Sequence, residues 1–556
     1  MPTRLLIVGG VAGGASAAAR ARRVDESAEV VVFEKGQYIS FANCGLPYYV
    51  GSEIENRDNL LVATPKLFKD RFRIDVRTMS EVVEIDRAKK EIKVLNHMTG
   101  ETSAERYDKL ILSPGAMPVR PPLPGIDLDA IFTIRSLPDT DSIKAYVDEK
   151  RPKAAVVVGG GFIGLEMAEN LVRRGVSVTI VEALDQVMAP LDFEMAALVN
   201  EQLMSEGVTL RLKESVKGFR KEGAGLVVET SGGEIACDMA LLAIGVKPDS
   251  ALAAKAGLEL GARGGIKTNE FMQTSDPDIY AVGDAVEVED YICGGATLIP
   301  LAGPANKQGR IAADNALGRK AAFKGTQGSA IVRVFDLTVA ATGASEKTLK
   351  RNSMPYMVSY THSASHAGYF PGGRMMAVKL IFAPESGKVL GAQIVGGSGT
   401  DKRIDVIATA IRAGMTVFDL EELELAYAPQ YSSAKDPVNM AGFVAANILK
   451  GDAATVNWNE IDALEPEKYM LLDVRNKPEL DNAGFIKGGV HIPLHELRGR
   501  LGELGKDKTI AVYCAVGLRG YIASRILTQN GFKAVNLSGG YRTYSAAKKA
   551  ASGIRP

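Results

Sequence analysis

The apolar positions of the chain follow two rhythms. Short unbroken apolar runs at residues 5–8, 30–33, 154–158 and 176–181 read as strands buried on both faces. Between the members of each pair the period becomes helical, over 15–23 and from 165 to about 174. Each pair therefore reads strand, glycine turn, helix, strand, the unit whose crossover makes the two strands parallel. Further on, 332–335, 376–382 and 389–395 read as strands of an antiparallel sheet, with a helix over 403–412. The pattern resets near 451–456, where Gly451-Asp452-Ala453-Ala454 reads as a linker. Beyond it, strands at 470–472, 509–513 and 534–536 and a helix over 521–529 form a separate small α/β domain.

The two glycine turns carry the first chemistry. Gly9-Gly10-Val11-Ala12-Gly13-Gly14 precedes a strand that ends at Glu34, with Val11 standing where a strict GxGxxG has its middle glycine. Gly159-Gly160-Gly161-Phe162-Ile163-Gly164 fits the pattern fully, with Gly159, Gly161 and Gly164 in the glycine places and a strand ending at Glu182. Such a turn lets backbone N–H groups approach a pyrophosphate at a helix N-terminus, where the dipole favours an anion. The terminal acid is placed to accept from the ribose hydroxyls. At Glu182 it would repel a 2′-phosphate, so NADH is expected over NADPH. Two such units in one chain point to two dinucleotides.

Composition narrows the class. The chain has 556 residues, 46% hydrophobic and 24% charged, enough for roughly three to four domains. Lys+Arg and Asp+Glu are both 66, which gives no global reason to expect nucleic acid or an anionic membrane as partner. Four dispersed cysteines (Cys44, Cys237, Cys293, Cys514) form no disulfide framework and suit a reducing, cytoplasmic setting. With five histidines, no metal cluster is legible. The apolar start is too glycine-rich for a signal peptide, and no run of 18 apolar residues marks a membrane span.

Three further segments carry a family resemblance: 107–116, a strand and turn; 241–248, ending in Val246-Lys247-Pro248; and 274–284, ending in Val282-Gly283-Asp284. They resemble the FAD signatures of the two-dinucleotide-binding disulfide reductase superfamily. The resemblance implies FAD, with Gly9, Gly14 and Glu34 at the first turn and Asp284 on the ribityl chain. It also implies an α/β fold of two Rossmann-like domains, an α+β dimerisation domain and a terminal α/β domain. The expected order is 1–150 FAD-binding, 151–245 NAD-binding, 246–324 FAD-binding again, 325–450 dimerisation and 451–556 terminal domain. A homodimer follows.

Cys44 lies in Ser40-Phe41-Ala42-Asn43-Cys44-Gly45-Leu46-Pro47-Tyr48-Tyr49, ten residues after the first unit's acid. An isolated cysteine is usually a buried hydrophobe, but this one sits in a turn able to present a thiolate to a flavin. Members with an internal redox pair carry a second cysteine five positions on, where this chain has Tyr49. Cys44 is therefore expected to cycle through a mixed disulfide, persulfide or sulfenic acid. NADH oxidases and peroxidases of this branch carry a histidine in the first glycine turn, where this chain has Ala12. The segment around Cys44 instead resembles coenzyme A-disulfide reductases. That resemblance implies substrate-side tyrosines from the partner subunit, matched by Tyr369 and Tyr427. It also implies a coenzyme A face at Ser16, Arg20, Arg23, Ser40 and Asn43, with Arg71 as a further phosphate contact. A basic pocket of this kind, together with the flavin, is expected to lower the Cys44 pKa.

The terminal domain has its own cysteine. Cys514-Ala515-Val516-Gly517-Leu518-Arg519 follows an apolar strand and precedes a helix. Such a loop makes an anion nest that stabilises a thiolate or persulfide, and Arg519 adds positive charge. With 472–475 and 484–494 it resembles a rhodanese domain. Fusions of the two families are NADH-dependent persulfide reductases. The expected activity is NADH-driven, FAD-dependent reduction of coenzyme A persulfide, polysulfide or coenzyme A disulfide at Cys44, with sulfane sulfur handled at Cys514. The substrates are small sulfur compounds, and a sulfur-carrier protein is a candidate partner. Two alternatives stand: an NADH oxidase or peroxidase working through a sulfenic acid, and a rhodanese-like module that only binds a sulfur carrier.

Overall fold

A computed structural model of the chain describes residues 2–223 and 225–553. It contains two compact units, one of residues 1–183 and 214–328, the other of 184–213 and 329–556. Among the described residues no helix is long and apolar enough to cross a membrane.

The first unit is built on two parallel sheets. In one, the strand order is Ile279–Ala281, Lys109–Leu112, Arg4–Val8, Glu29–Phe33, Asp75–Arg77. Leu5, Leu6 and Ile7 are fully buried and Val30–32 nearly so, which is why these runs are continuous rather than alternating. Helix Ala12–Val24 crosses between the first two strands. In the other sheet, Ala154–Val158 lies between parallel Ser177–Glu182 and Met239–Leu242, with helix Phe162–Arg173 as crossover. The unit also holds smaller sheets, among them two three-stranded antiparallel ones: Ser80–Asp86, Glu91–Asn96 and Thr102–Arg106, then Val216–Glu222, Gly225–Thr230 and Gly233–Cys237. Their outer strands are largely exposed and polar, so their apolar signal is faint.

The second unit holds a five-stranded antiparallel sheet, ordered Ala330–Val334, Leu337–Gly343, Val389–Gly396, Met375–Phe382, Met357–Ala364. Phe335, read from the sequence as the end of the first strand, instead makes the hairpin turn with φ 53°. Val334 pairs Leu337, leaving two loop residues, and the tight turns that join twisted strands require left-handed backbone. The terminal domain is an all-parallel sheet ordered Thr455–Val456, Ala534–Leu537, Thr509–Tyr513, Tyr469–Asp473, Val490–His491.

Where the terminal domain meets the antiparallel sheet, a charge cluster is buried. Lys379 is fully buried, its ammonium 2.9 Å from Asp192, 2.5 Å from Glu194 and 2.5 Å from Glu346. Tyr360 OH donates to Glu194 at 3.0 Å, and the indole N–H of Trp458, from the terminal domain, donates to the same carboxylate at 3.2 Å. Nearby, the Tyr360 amide donates to Ser538 and the His362 ring meets Thr543 Oγ1 at 2.9 Å. Burial and the neighbouring Arg542 push His362 down to about 3, so its ring is neutral at working pH.

Candidate active sites

The two glycine turns have the same construction. In the first, the Gly10 amide donates to Glu34 at 2.9 Å, and the other Glu34 oxygen accepts from Gly36. In the second, the Gly160 amide donates to Glu182 at 2.7 Å. Neither helix that follows has a side-chain cap or an acid in its own first turn, so the helix itself presents no carboxylate against an anion at its N-terminus. A Cβ on Gly159 would collide with the Ala243 carbonyl, and one on Gly164 with the Gly159 carbonyl, so the fold itself demands both glycines. A Cβ on Gly161 would meet nothing within 4 Å. The middle glycine thus leaves free space before the helix, which suits the backbone approach of a pyrophosphate. The first turn is equally tight at Gly9 and Gly14, while Val11 takes the middle place. Asp284 sits in the short turn Gly283–Ala285; burial pushes its carboxyl up and Arg135 opposes that. These residues fit the two dinucleotides that the turns imply.

Cys44 is exposed in the short turn Asn43–Gly45. The segment is tied to the first glycine turn by the Ser40 amide, which donates to the Gly10 carbonyl at 2.9 Å. Ser40 itself has φ 47°. Tyr49 occupies the helix Leu46–Val50, under a cation–π contact from Lys144. The charges nearest Cys44 correct the sequence reading. Partial desolvation, then the carboxylates of Glu166 and Asp284, push its thiol up, and neither Arg20 nor Arg23 offsets them. The basic face does not itself lower this pKa.

That face has more structure than its sequence shows. Arg20 makes two hydrogen bonds to Asp314, at 2.9 and 3.0 Å, so its charge is already compensated. Ser16 is hydrogen-bonded to Asn306. Arg23 and Asn43 are exposed, as is Arg71 in the last turn of helix Pro65–Phe72. Arg22 is buried and donates to the carbonyls of Phe72, Glu26 and Ala28, a structural role.

In the second unit, Tyr369 and Tyr427 are 58 residues apart in sequence, yet their hydroxyls meet at 2.8 Å. Both are exposed, at 76% and 48%. Their two loops are laced together by the Ala367 amide, which donates to Ser432, and by buried Arg403, which donates to Ser365 O, Ser432 Oγ and Asp436. The hydrogen bond to Tyr427 pushes the Tyr369 phenol up. Sequence reading missed Arg403, seeing only a helical arginine.

Cys514 is fully buried at the end of strand Thr509–Tyr513, and the Gly517 amide donates to its Sγ at 3.1 Å. Arg519 is electrostatically coupled to Cys514 and is held by Glu479 through two bonds, at 2.7 and 2.5 Å. Glu479 was not among the residues singled out from the sequence. Its visible signal is the capping box Asn476-Lys477-Pro478-Glu479, which marks a helix start and says nothing of Arg519.

Comparison with known proteins then decides the family. The model of the pyridine nucleotide-disulphide oxidoreductases matches residues 3–309, that of their dimerisation domain 329–437, and that of the rhodanese-like domain 459–547. The chain belongs to the pyridine nucleotide-disulphide oxidoreductase family. It is an oxidoreductase of the FAD- and NAD(P)-dependent kind, with a dimerisation domain and a C-terminal rhodanese-like domain. It is 36% identical to the coenzyme A disulfide reductase of Staphylococcus haemolyticus over 446 residues, 80% of this chain and 100% of that protein. The reduced CoADR-RHD of Bacillus anthracis is 52% identical with a TM-score of 0.96, each chain covered to 98%. The NAD-dependent persulfide reductase of A. fulgidus is 39% identical with a TM-score of 0.91, covering 97% of this chain and 100% of that one.

Proposed function

We propose that this oxidoreductase uses NADH to reduce the sulfur–sulfur bond of coenzyme A persulfide, polysulfide or coenzyme A disulfide at Cys44. The observation that carries the reading is a lone cysteine on an exposed turn, tied to the first dinucleotide turn, with Tyr49 where an internal partner would stand. The second half of the working disulfide must then come from the substrate. The family relatives and the rhodanese-like domain support sulfur over oxygen as acceptor. When bound, FAD supplies two-electron transfer from NADH to the cysteine sulfur.

The Cys44 thiolate attacks the coenzyme A-side sulfur of a persulfide. The S–S bond breaks, sulfide leaves with the electron pair, and the thiol remains as a mixed disulfide on Cys44. With coenzyme A disulfide the leaving group is one thiolate. Two electrons then release the second thiol. Ser16, Arg20, Arg23, Ser40, Asn43 and Arg71 are the residues assigned to coenzyme A. The Tyr369–Tyr427 pair is exposed, and is assigned to the leaving thiolate at Cys44 of a second copy in a homodimer. Cys514, with Arg519, is assigned to transfer of sulfane sulfur. The deciding experiment is steady-state NADH oxidation with coenzyme A persulfide, coenzyme A disulfide, oxygen and peroxide. Faster turnover on oxygen or peroxide than on both sulfur acceptors overturns the reading.

Two variants probe separate parts of it. Glu182→Ala should raise kcat/KM for NADPH relative to NADH by about tenfold, roughly 1.4 kcal/mol, because the carboxylate no longer faces a 2′-phosphate. A wild-type preference for NADPH contradicts the assignment. Cys514→Ser should abolish transfer from sulfur donors yet spare reduction of free coenzyme A persulfide, which needs Cys44 alone. Collapse of both activities would mean an obligatory relay between the two cysteines.

A further inference from the structure

We propose that Glu479 sets the donor class of the C-terminal sulfur site: by neutralising Arg519 it favours neutral or monoanionic organic persulfides and disfavours the thiosulfate dianion. The inference rests on the reading of Cys514 as a sulfurtransferase nucleophile and goes further by naming its donor.

The loop from Cys514 to Arg519 contains one charged side chain, Arg519. Both of its terminal nitrogens are bonded to the two oxygens of Glu479, at 2.7 and 2.5 Å, the two-point geometry that most strongly holds a guanidinium to a carboxylate. The Asn476 amide also donates to Glu479, at 3.0 Å. Arg519, with that amide, holds the carboxyl down to about 2, so it is ionised across the working range. The pair therefore presents a dipole where a lone arginine would present a full positive charge. The second guanidinium close by, Arg475, is buried and likewise bound by Asp473. The exposed Arg542, whose amide donates to the Ala515 carbonyl at 2.9 Å, is a further cation beside the loop, so Glu479 lowers the positive charge at the site by one without abolishing it. The rest of the loop is apolar: Ala515, Val516, Gly517 and Leu518. Leu518 is 58% exposed, and Ile522, one turn on along the same helix face, is also exposed.

The two donors ask different things of such a site. With a persulfide, the Cys514 thiolate attacks the outer sulfur of R–S–SH. The Cys514 S–S bond forms, the donor S–S bond breaks, and R–S⁻ leaves with the electron pair. With thiosulfate the same attack on its outer sulfur expels sulfite, SO₃²⁻. A dianion enters and a dianion leaves, and both gain from positive charge, of which Glu479 removes the share of Arg519. An organic persulfide with an uncharged, apolar arm carries at most the one charge of its S–S⁻ group, and that arm matches the exposed leucine and isoleucine. Discrimination here comes as much from the repelling carboxylate as from the attracting face.

Glu479 acts through Arg519 and is a positioning residue. The test loads the full chain with thiosulfate or with benzyl persulfide, blocks free thiols, and reads the Cys514 peptide by mass for the added sulfur. Wild type should load at least about tenfold faster from the persulfide. Glu479→Gln keeps the shape and the capping acceptor but frees the Arg519 charge. It should raise the ratio of thiosulfate to persulfide loading about tenfold, with the gain shrinking at high salt. The double variant Glu479→Gln, Arg519→Gln should return the ratio to the wild-type value. A wild-type ratio near one, an unchanged ratio in Glu479→Gln, or a gain that survives loss of Arg519 overturns the proposal alone. Failure of wild type to load from either donor overturns the sulfurtransferase reading, and this proposal with it.

Discussion

Cys44→Ser is expected to lose turnover on coenzyme A persulfide and disulfide by at least about 10³-fold, because the attacking sulfur itself is gone. A serine hydroxyl at this exposed turn keeps the size of the side chain and touches none of the dinucleotide-turn contacts. Gly10 still donates to Glu34, and Ser40 still donates to Gly10. Flavin content and its bleaching by NADH should therefore survive. The measurement is an anaerobic NADH titration of the variant's flavin absorbance, followed by acceptor turnover. A variant that cannot be reduced by NADH would mean that Cys44 supports cofactor binding. One that turns over persulfide at the wild-type rate would remove Cys44 from the chemistry. The pH dependence should follow the thiol. Desolvation, Glu166 and Asp284 raise the Cys44 pKa, so attack in wild type should accelerate as pH rises. Glu166→Gln removes one of the two carboxylates and should shift that rise to lower pH.

Lys379→Met should destabilise the second unit by about 3–5 kcal/mol, the cost of leaving buried carboxylates without their cation. Lys379 is fully buried against Asp192, Glu194 and Glu346. Methionine fills most of the space but compensates none of the charge. The readout is built in: Trp458 is the single tryptophan of the chain, and its indole donates to Glu194 while stacking on Phe193. Its emission should shift to the red at a lower urea concentration in the variant, whereas the first unit's flavin signal should not move. Burial opposes ionisation of Asp192, but Lys379, the Glu346 amide and Gln393 outweigh it and hold its pKa below the ordinary value. Its native form thus binds fewer protons than its unfolded form. The stability it contributes is present above about pH 4 and is lost as pH falls through the lowered native pKa. The gap between wild type and Lys379→Met should accordingly narrow in acid. Equal midpoints at neutral pH would show that the cluster contributes nothing beyond packing.

What the chain's pattern determined alone is local. A strand, a glycine turn, a helix and a strand are contiguous, and their apolar period, turn residues and terminal acids are read without long-range information. Both dinucleotide turns, with Glu34 and Glu182 folded back onto them, follow from that, as do the Cys44 turn and the loop from Cys514 to Arg519. Boundaries slipped by up to three residues where the period gives out, most at the helix starts, which lie at Ala12, Phe162, Thr400 and Leu518. Phe335 has strand chemistry but a turn's backbone, because hairpin closure outweighs propensity. The faint three-stranded sheets went unread because half of each strand faces water. Only the tertiary structure decided which charges meet. Asp314 on Arg20, Glu479 on Arg519, Glu166 near Cys44, and three carboxylates on Lys379 are pairings across 33 to 294 residues of sequence. Electrostatic interaction depends on distance and on the water excluded between groups, and neither is a property of spacing along a chain. The residue types therefore announced the chemistry, while the fold set the sign of each site's field.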